Sequence, residues 1–282
     1  MKKLAIVGAT GLVGRTILQV LEEENLLDFE YTLFASSRSA GKKIMFLGRE
    51  YEIQELCENS FEAGFDYAIF SAGSSTAEKY APIAVNNGCI VIDNSSAFRM
   101  KENVPLVVPE VNPEDIFNHH GIIANPNCST IQAVVALKPL DVAFRIKRIV
   151  YSTYQAVSGA GQAGIDDFIT TSKGISPSKF PHPIYNNCLP HIDSFLANGY
   201  TKEEMKMVNE TRKILKKPIL PVTATCVRVP VLNCHSEAVF VEFEHNCNLE
   251  QLKNILKNSP GIVLQDEPHL NQYPLARSVS RQ

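Results

Sequence analysis

Four apolar residues, Leu4-Ala5-Ile6-Val7, run directly into Gly8-Ala9-Thr10-Gly11-Leu12-Val13-Gly14, and residues 13–24 follow with Val13, Ile17, Leu18, Val20 and Leu21 on one side of a helix. An unbroken apolar run is what a parallel strand covered on both faces requires. Glycines at the strand–helix junction allow a tight turn and a close backbone approach to a pyrophosphate, whose charge the helix N-terminus favours. The chain is therefore expected to open with the first βα unit of a parallel, Rossmann-type sheet. Gly8, Thr10, Gly11, Leu12, Val13 and Gly14 are its candidate dinucleotide contacts.

The next segments keep that rhythm. Strands are expected at 31–35, 67–70 and 89–93, a helix at 78–87, and short apolar runs at 104–108 and 121–124. Strands alternating with helices predict an open, mostly parallel α/β sheet. The third strand ends in Ser71-Ala72-Gly73, which adds Ser71 and Gly73 to the candidate contacts. The second strand ends in Ser36-Ser37-Arg38-Ser39 rather than in an acid that would hold ribose hydroxyls. Hydroxyls and a guanidinium suit a 2′-phosphate, so NADP is expected, held there by Ser36, Arg38 and Ser39.

The texture changes near residue 128. A long β-rich run spans 146–156, the glycine cluster Ser158-Gly159-Ala160-Gly161 follows, and 172–190 reads as a long loop rich in Pro, Ser and Asn. Ser158 and Gly159 are further candidate cofactor contacts. A charged helix is expected at 201–217, strands at 223–229 and 237–244, and a helix at 248–258, which predicts an α+β domain built on an antiparallel sheet. The expected division is 1–128 for the dinucleotide-binding domain and 129–282 for a catalytic and dimerisation domain.

Bulk properties narrow the function class. A net charge of -3 argues against a nucleic-acid binder. Seven cysteines without C-x-x-C spacing suggest neither a disulfide framework nor a zinc site, so no metal is expected. No apolar run approaches the roughly 20 residues that span a bilayer. The N-terminus lacks the long apolar core of a signal peptide. A cytoplasmic protein acting on a small molecule, with neither membrane nor nucleic-acid partner, is the expectation.

One cysteine stands apart. Cys128 lies in Asn125-Pro126-Asn127-Cys128-Ser129-Thr130, directly before an apolar helical stretch at 131–140. A thiol there faces unpaired backbone N–H groups and the positive helix end, and both favour the nucleophilic thiolate. Three distant segments join it: Tyr154-Gln155-Ala156-Val157-Ser158-Gly159-Ala160-Gly161, Arg228-Val229-Pro230-Val231 and His235-Ser236-Glu237. With the glycine turn and Ser95-Ser96-Ala97-Phe98-Arg99, their order and intervals closely resemble the aspartate-β-semialdehyde dehydrogenase family, over nearly the whole chain.

The resemblance implies NADPH-dependent reduction of β-aspartyl phosphate to aspartate semialdehyde and phosphate, in lysine, threonine, methionine and diaminopimelate synthesis. It implies Cys128 as nucleophile forming an acyl-thioester, Gln155 orienting the substrate, and His235 in acid–base work. It also implies Arg228 on the substrate carboxylate, Arg99 and Lys206 on phosphate, Glu203 on the amine, and Asn127, beside the nucleophile, among the substrate-binding residues. The substrate's own charges ask for such a set, since a dianionic phosphate, a carboxylate and an ammonium need cations and an acid. Taken singly, Glu203 and Lys206 on a charged helix describe a solvated face. Cys226 and Cys234 are not expected to be nucleophiles.

Homodimer or homotetramer assembly is likewise implied. The family continues into a further strand and a terminal helix that packs on the nucleotide domain, whereas this sequence stops in a loop-like stretch at 277–282. Exposed apolar surface and weakened NADPH binding are the expectation for such a chain. Two rival readings follow: an inactive chain serving as a binding partner, and an N-acetyl-γ-glutamyl phosphate reductase, whose substrate would not need Glu203.

Overall fold

The computed structural model describes residues 1–280, which form two compact units. The first comprises Met1–Val107 and Pro113–Pro126; the second comprises Val108–Asn112 and the chain from Asn127 onward.

In the first unit β1 (Lys2–Val7) leads into α1 (Leu12–Glu23), then β2 (Phe29–Ala35), β3 (Lys43–Phe46), β4 (Arg49–Glu52) and β5 (Gln54–Glu55). β6 (Tyr67–Phe70), α2 (Ser74–Asn86), β7 (Ile90–Asp93) and β8 (Ile122–Ala124) complete it. Six strands form one sheet in the order β5-β2-β1-β6-β7-β8, and every pair is parallel. β1 is central because its tetrad can be buried on both faces, and Ala5, Ile6 and Val7 are fully buried. Leu18 and Leu21 of α1 pack on one side with Leu33 and Phe46, while Phe34, Phe61, Phe65 and Phe70 interlock their rings. Strand order reverses direction about β1, so the ends of β1, β2 and β6 open onto the crevice where such sheets bind ligands.

One apolar run stays outside the sheet here, and one hairpin was not expected. The run 104–108 forms no strand; it joins the sheet by a single bridge, Leu106 to Ala124, because Pro105 has no N–H to extend a ladder. The β3–β4 hairpin was not legible, since its turn places Leu47 and Gly48 at positive φ without the usual Asn-Gly signal.

The second unit holds α3 (Cys128–Phe144), β9 (Ile146–Gln155), α4 (Gln162–Thr171), α5 (Lys202–Ile214), β10 (Val222–Arg228) and β11 (Ser236–Phe243). α6 (Leu249–Lys257) and the four-residue α7 (Ala276–Val279) follow. Its sheet is β10-β9-β11, antiparallel between β9 and β11 but parallel between β9 and β10. The antiparallel expectation is corrected to a mixed sheet, because α4, the long loop and α5 supply the crossover that parallel pairing needs. The loop at 172–190 is as expected, and the buried Asp167 of α4 pins it by accepting the amides of Ser178, Lys179 and Phe180. α7 falls in the stretch expected to be a loop; Arg281 and Gln282 lie outside the described residues. The architecture is an α/β fold, a Rossmann-type parallel sheet together with an α+β unit. Among the described residues no helix is long and apolar enough to cross a membrane.

Candidate active site

In the first unit the glycine turn divides its labour. A Cβ on Gly14 would lie 2.1 Å from the Gly8 carbonyl oxygen, so Gly14 lets α1 close onto the strand end. Gly8, at φ +90°, would place a Cβ 2.6 Å from the Ser71 carbonyl oxygen, so it permits the approach of the β6 end. Gly11 has only the Gly8 oxygen, at 3.4 Å, near its missing Cβ, and as N-cap it offers α1 no side-chain acceptor. The first-turn amides of α1, around Leu12 and Val13 with Thr10 before them, are thus left for a ligand, which fits a pyrophosphate. Ser36 and Arg38 are exposed after β2, in a turn closed by the Ser39 amide on the Ser36 carbonyl at 2.8 Å. Gly73, at φ +86°, begins α2 in the same uncapped way.

Arg99 also belongs to this unit. It is nearly buried, and its Nη2 donates to the Asn94 carbonyl at 3.0 Å. Asp93 builds the loop that carries it, accepting from the Ser95 amide at 3.0 Å and the Ser95 hydroxyl at 2.8 Å. Burial raises the Asp93 pKa, and the Ser95 hydrogen bonds and the charge of Arg99 only partly offset it.

The nucleophile candidate and its partners lie in the second unit. Cys128 is the first residue of α3 and is exposed. Asn127 caps the helix, its Oδ1 accepting from the Ser129 amide at 3.0 Å and the Thr130 amide at 3.4 Å. Arg228, 5% exposed at the end of β10, is within electrostatic reach of Cys128, so a guanidinium joins the helix end in favouring thiolate. Burial lowers the Arg228 pKa, while Glu203, Cys128 and Cys226 oppose that shift.

Ala156, directly after Gln155, sets the other two groups. Its carbonyl accepts from Arg228 Nη1 at 2.6 Å, and its amide donates to His235 Nδ1 at 3.0 Å. With Nδ1 occupied as acceptor, the neutral imidazole carries its proton on Nε2. Burial, then the charge of Arg228, pushes His235 down to about 4, so it is neutral at physiological pH and presents Nε2–H. Gly159, in the turn after β9, packs against this pair. A Cβ there would lie 2.8 Å from Arg228 Nη1 and 3.2 Å from His235 Cε1. Ser158 neighbours it, half-buried.

Glu203 and Lys206 do not form a solvated face. Glu203 is 6% exposed, and its Oε1 accepts from Asn127 Nδ2 at 2.9 Å and Gln155 Nε2 at 3.4 Å. Its Oε2 accepts from Lys206 Nζ at 2.9 Å, and Lys206 reaches Asp193 at 3.1 Å. Burial works against the Glu203 charge, but Lys206 and the two amides outweigh it and hold the carboxyl below its usual range. Lys206 is correspondingly raised, its two carboxylates outweighing burial.

Sequence reasoning missed Asp193, Glu210, Gln132 and Glu237. Glu210 on α5 accepts the Asn127 backbone amide at 2.6 Å. Gln132, one turn after Cys128, donates to the Glu237 carboxylate at 2.7 Å and the His235 carbonyl at 3.3 Å. Burial pushes Glu237 up to about 7. The signal available for Glu210 was the stripe Glu203, Met207, Glu210, Ile214 on one face of α5. Cys226 is buried and pushed up to about 12, which suits a packing thiol. Among the described residues no group of three or more His, Cys, Asp or Glu could hold a metal ion.

The semialdehyde dehydrogenase NAD binding domain profile matches residues 3–119, and the semialdehyde dehydrogenase dimerisation domain profile matches residues 137–282. The chain is 54% identical over 283 residues to the aspartate-semialdehyde dehydrogenase of Aquifex aeolicus, covering 97% of this chain and 83% of that protein. It is similar in structure to aspartate semialdehyde dehydrogenase II of Vibrio cholerae complexed with ASA, with a TM-score of 0.89 and 48% identity over 93% of this chain and 80% of that one. The Candida albicans aspartate semialdehyde dehydrogenase crystallised with NADP is similar at 29% identity, with a TM-score of 0.71, covering 92% of this chain and 76% of that one.

Proposed function

The chain belongs to the aspartate-semialdehyde dehydrogenase family, and from that premise we propose that it reduces β-aspartyl phosphate to aspartate semialdehyde and phosphate, reversibly, through an acyl-thioester on Cys128. The observation that carries this reading is the address of the thiol. Cys128 opens a capped, apolar helix, and a buried guanidinium lies within electrostatic reach of it.

In the proposed reaction the Cys128 thiolate attacks the acyl carbonyl, a C–S bond forms, and phosphate leaves with the electrons of the C–O bond. The nicotinamide, when bound, supplies the hydride that reduces the thioester. His235 Nε2–H donates to the oxyanion of the resulting thiohemiacetal, a donor aimed where charge develops. Collapse returns the aldehyde and a thiolate, which the α3 N-terminus and Arg228 stabilise. Because His235 is neutral and already protonated on Nε2, it serves first as a hydrogen-bond donor and needs no charge of its own.

Binding roles follow from charge. Arg228, oriented by the Ala156 carbonyl, takes the substrate carboxylate. Glu203 takes the ammonium group while it orients Asn127 and Gln155. Lys206 and Arg99 are the cations we assign to phosphate. We assign the nicotinamide dinucleotide as NADP, held by Gly8, Thr10, Gly11, Leu12, Val13, Gly14, Ser71 and Gly73, with Ser36, Arg38 and Ser39 on the 2′-phosphate. The exposed Arg38 beside two hydroxyls supports that choice, as does NADP in the Candida relative. Ser158 and Gly159 are proposed to complete the nicotinamide end. The dimerisation-domain match supports a homodimer or homotetramer, and thiolate chemistry suits a reducing cytoplasm.

The test is phosphate-dependent NADP reduction with aspartate semialdehyde. Turnover in the wild-type chain and none in Cys128→Ala supports the reading; turnover that survives the substitution overturns it.

A further inference from the structure

Asn127 stands immediately before Cys128, so whatever fixes Asn127 fixes the nucleophile. Every polar group of this residue is engaged. Oδ1 takes the Ser129 and Thr130 amides, and the carbonyl takes the Ile131 amide at 2.9 Å. Nδ2 donates to Glu203, and the backbone N–H donates to Glu210 Oε2 at 2.6 Å. Glu203 and Glu210 are seven residues apart on α5, two helical turns, and so share a face. Between them Met207 accepts from the Thr130 hydroxyl at 3.5 Å, so the same stripe of α5 meets the first turn of α3 at three heights.

Glu210 is 1% exposed, more deeply buried than Glu203 or Glu204 on the same helix. Its Oε2 meets the N-cap amide of α3, a donor that the helix itself cannot satisfy.

We propose that Glu210 is a positioning residue for Cys128, holding the N-cap amide of α3 so that the thiol is fixed against Arg228 and His235. The inference rests on the reading of Cys128 as the nucleophile. Glu210 touches neither substrate nor cofactor in this account; it acts through Asn127. The other titratable and charged groups around this first turn are Glu203 with its partner Lys206, Arg228, the neutral His235, and Glu237, which Gln132 holds; all are kept in the variants below.

Two substitutions separate reach from charge. Glu210→Gln keeps the length and an acceptor oxygen but removes the acid; Glu210→Asp keeps the acid and shortens the arm. The full chain is assayed for phosphate-dependent oxidation of aspartate semialdehyde, with kcat expressed per folded chain, the folded fraction being read from the native baseline of a urea melt. A merely structural role lowers the folded fraction and leaves kcat per folded chain unchanged. Positioning predicts a kcat loss of about 10- to 100-fold in Glu210→Asp, with KM for the aldehyde little moved and Glu210→Gln within about threefold of wild type. Wild-type kcat per folded chain in Glu210→Asp, or an equal loss in Glu210→Gln, overturns the proposal. A wild-type chain without turnover fails the functional reading alone. The pH midpoint of Cys128 alkylation then decides, rising in Glu210→Asp and not in Glu210→Gln, because a loosened N-cap withdraws the helix amides from the thiolate. An unmoved midpoint in Glu210→Asp overturns the inference.

Discussion

Replacing Gly159 by alanine probes how tightly the pair Arg228–His235 is built. The backbone of Gly159 lies outside the left-handed region, so alanine is not strained by conformation and the whole effect comes from space. The new methyl carbon would lie 2.8 Å from Arg228 Nη1. Ordinary contact needs roughly 3.5 Å, so the guanidinium must retreat by about 0.7 Å. It has little freedom to do so, being 5% exposed and bonded through that same nitrogen to the Ala156 carbonyl at 2.6 Å. A hydrogen bond from a charged group contributes about 1.5–3 kcal/mol, which corresponds to roughly 10- to 100-fold in rate. Gly159→Ala is therefore expected to lower kcat/KM for aspartate semialdehyde by about that factor. Steady-state kinetics at saturating NADP, paired with a fluorescence titration of NADPH, separates substrate from cofactor effects. Wild-type kcat/KM, or a loss carried wholly by dinucleotide affinity, would refute the packing argument and return Gly159 to a cofactor contact alone.

Three other perturbations read independent parts of the structure. Glu237, pushed up to about 7 by burial from 4.5, stabilises the fold below pH 4.5 relative to higher pH, and that contribution is lost as pH rises through 7. Glu237→Gln should therefore gain on wild type between pH 5 and 8, by up to about 3 kcal/mol in urea melts; a constant difference across that range contradicts the burial. His235 runs the other way: held near 4 against 6.5 unfolded, its contribution is full above pH 6.5 and lost as pH falls through 4. His235 proton chemical shifts should place its titration well below pH 6 in the free protein, and a midpoint near 6.5 counts against the neutral Nε2–H donor. Arg38→Ala should weaken NADPH binding by about tenfold and leave NADH binding unchanged, as expected for one lost charge-assisted contact; equal weakening of both would remove Arg38 from the 2′-phosphate.

The parallel core of the first unit was legible because β1 writes its burial directly, as four apolar residues ahead of a glycine turn. The hairpin at 43–52 was not, because Leu47-Gly48 carries no conventional turn signal and its strands are half polar. α4 escaped because Gln162–Thr171 mixes glycine, two aspartates and β-branched residues, and its aspartate is spent on pinning a loop. At the site, Cys128, Gln155, Glu203, Arg228 and His235 could be picked out by motif order and fall in one unit. What sequence could not supply was the second layer. A charged helix looks solvated until a partner buries it, so Glu210 and the true surroundings of Glu203 emerged only when α5 was placed against α3. Likewise the Ala156 peptide group, which orients both Arg228 and His235, leaves no side-chain signature.

The proposed reaction turns on a covalent intermediate at one of seven cysteines. Incubating the chain with aspartate semialdehyde and NADP in the absence of phosphate, quenching in acid and mapping the cysteine peptides by mass spectrometry tests it directly. One aspartyl adduct per subunit is expected, on the Cys128 peptide, formed together with a stoichiometric burst of NADPH and released when phosphate is added. A burst without that adduct, or an adduct on Cys226 or Cys234 instead, contradicts it.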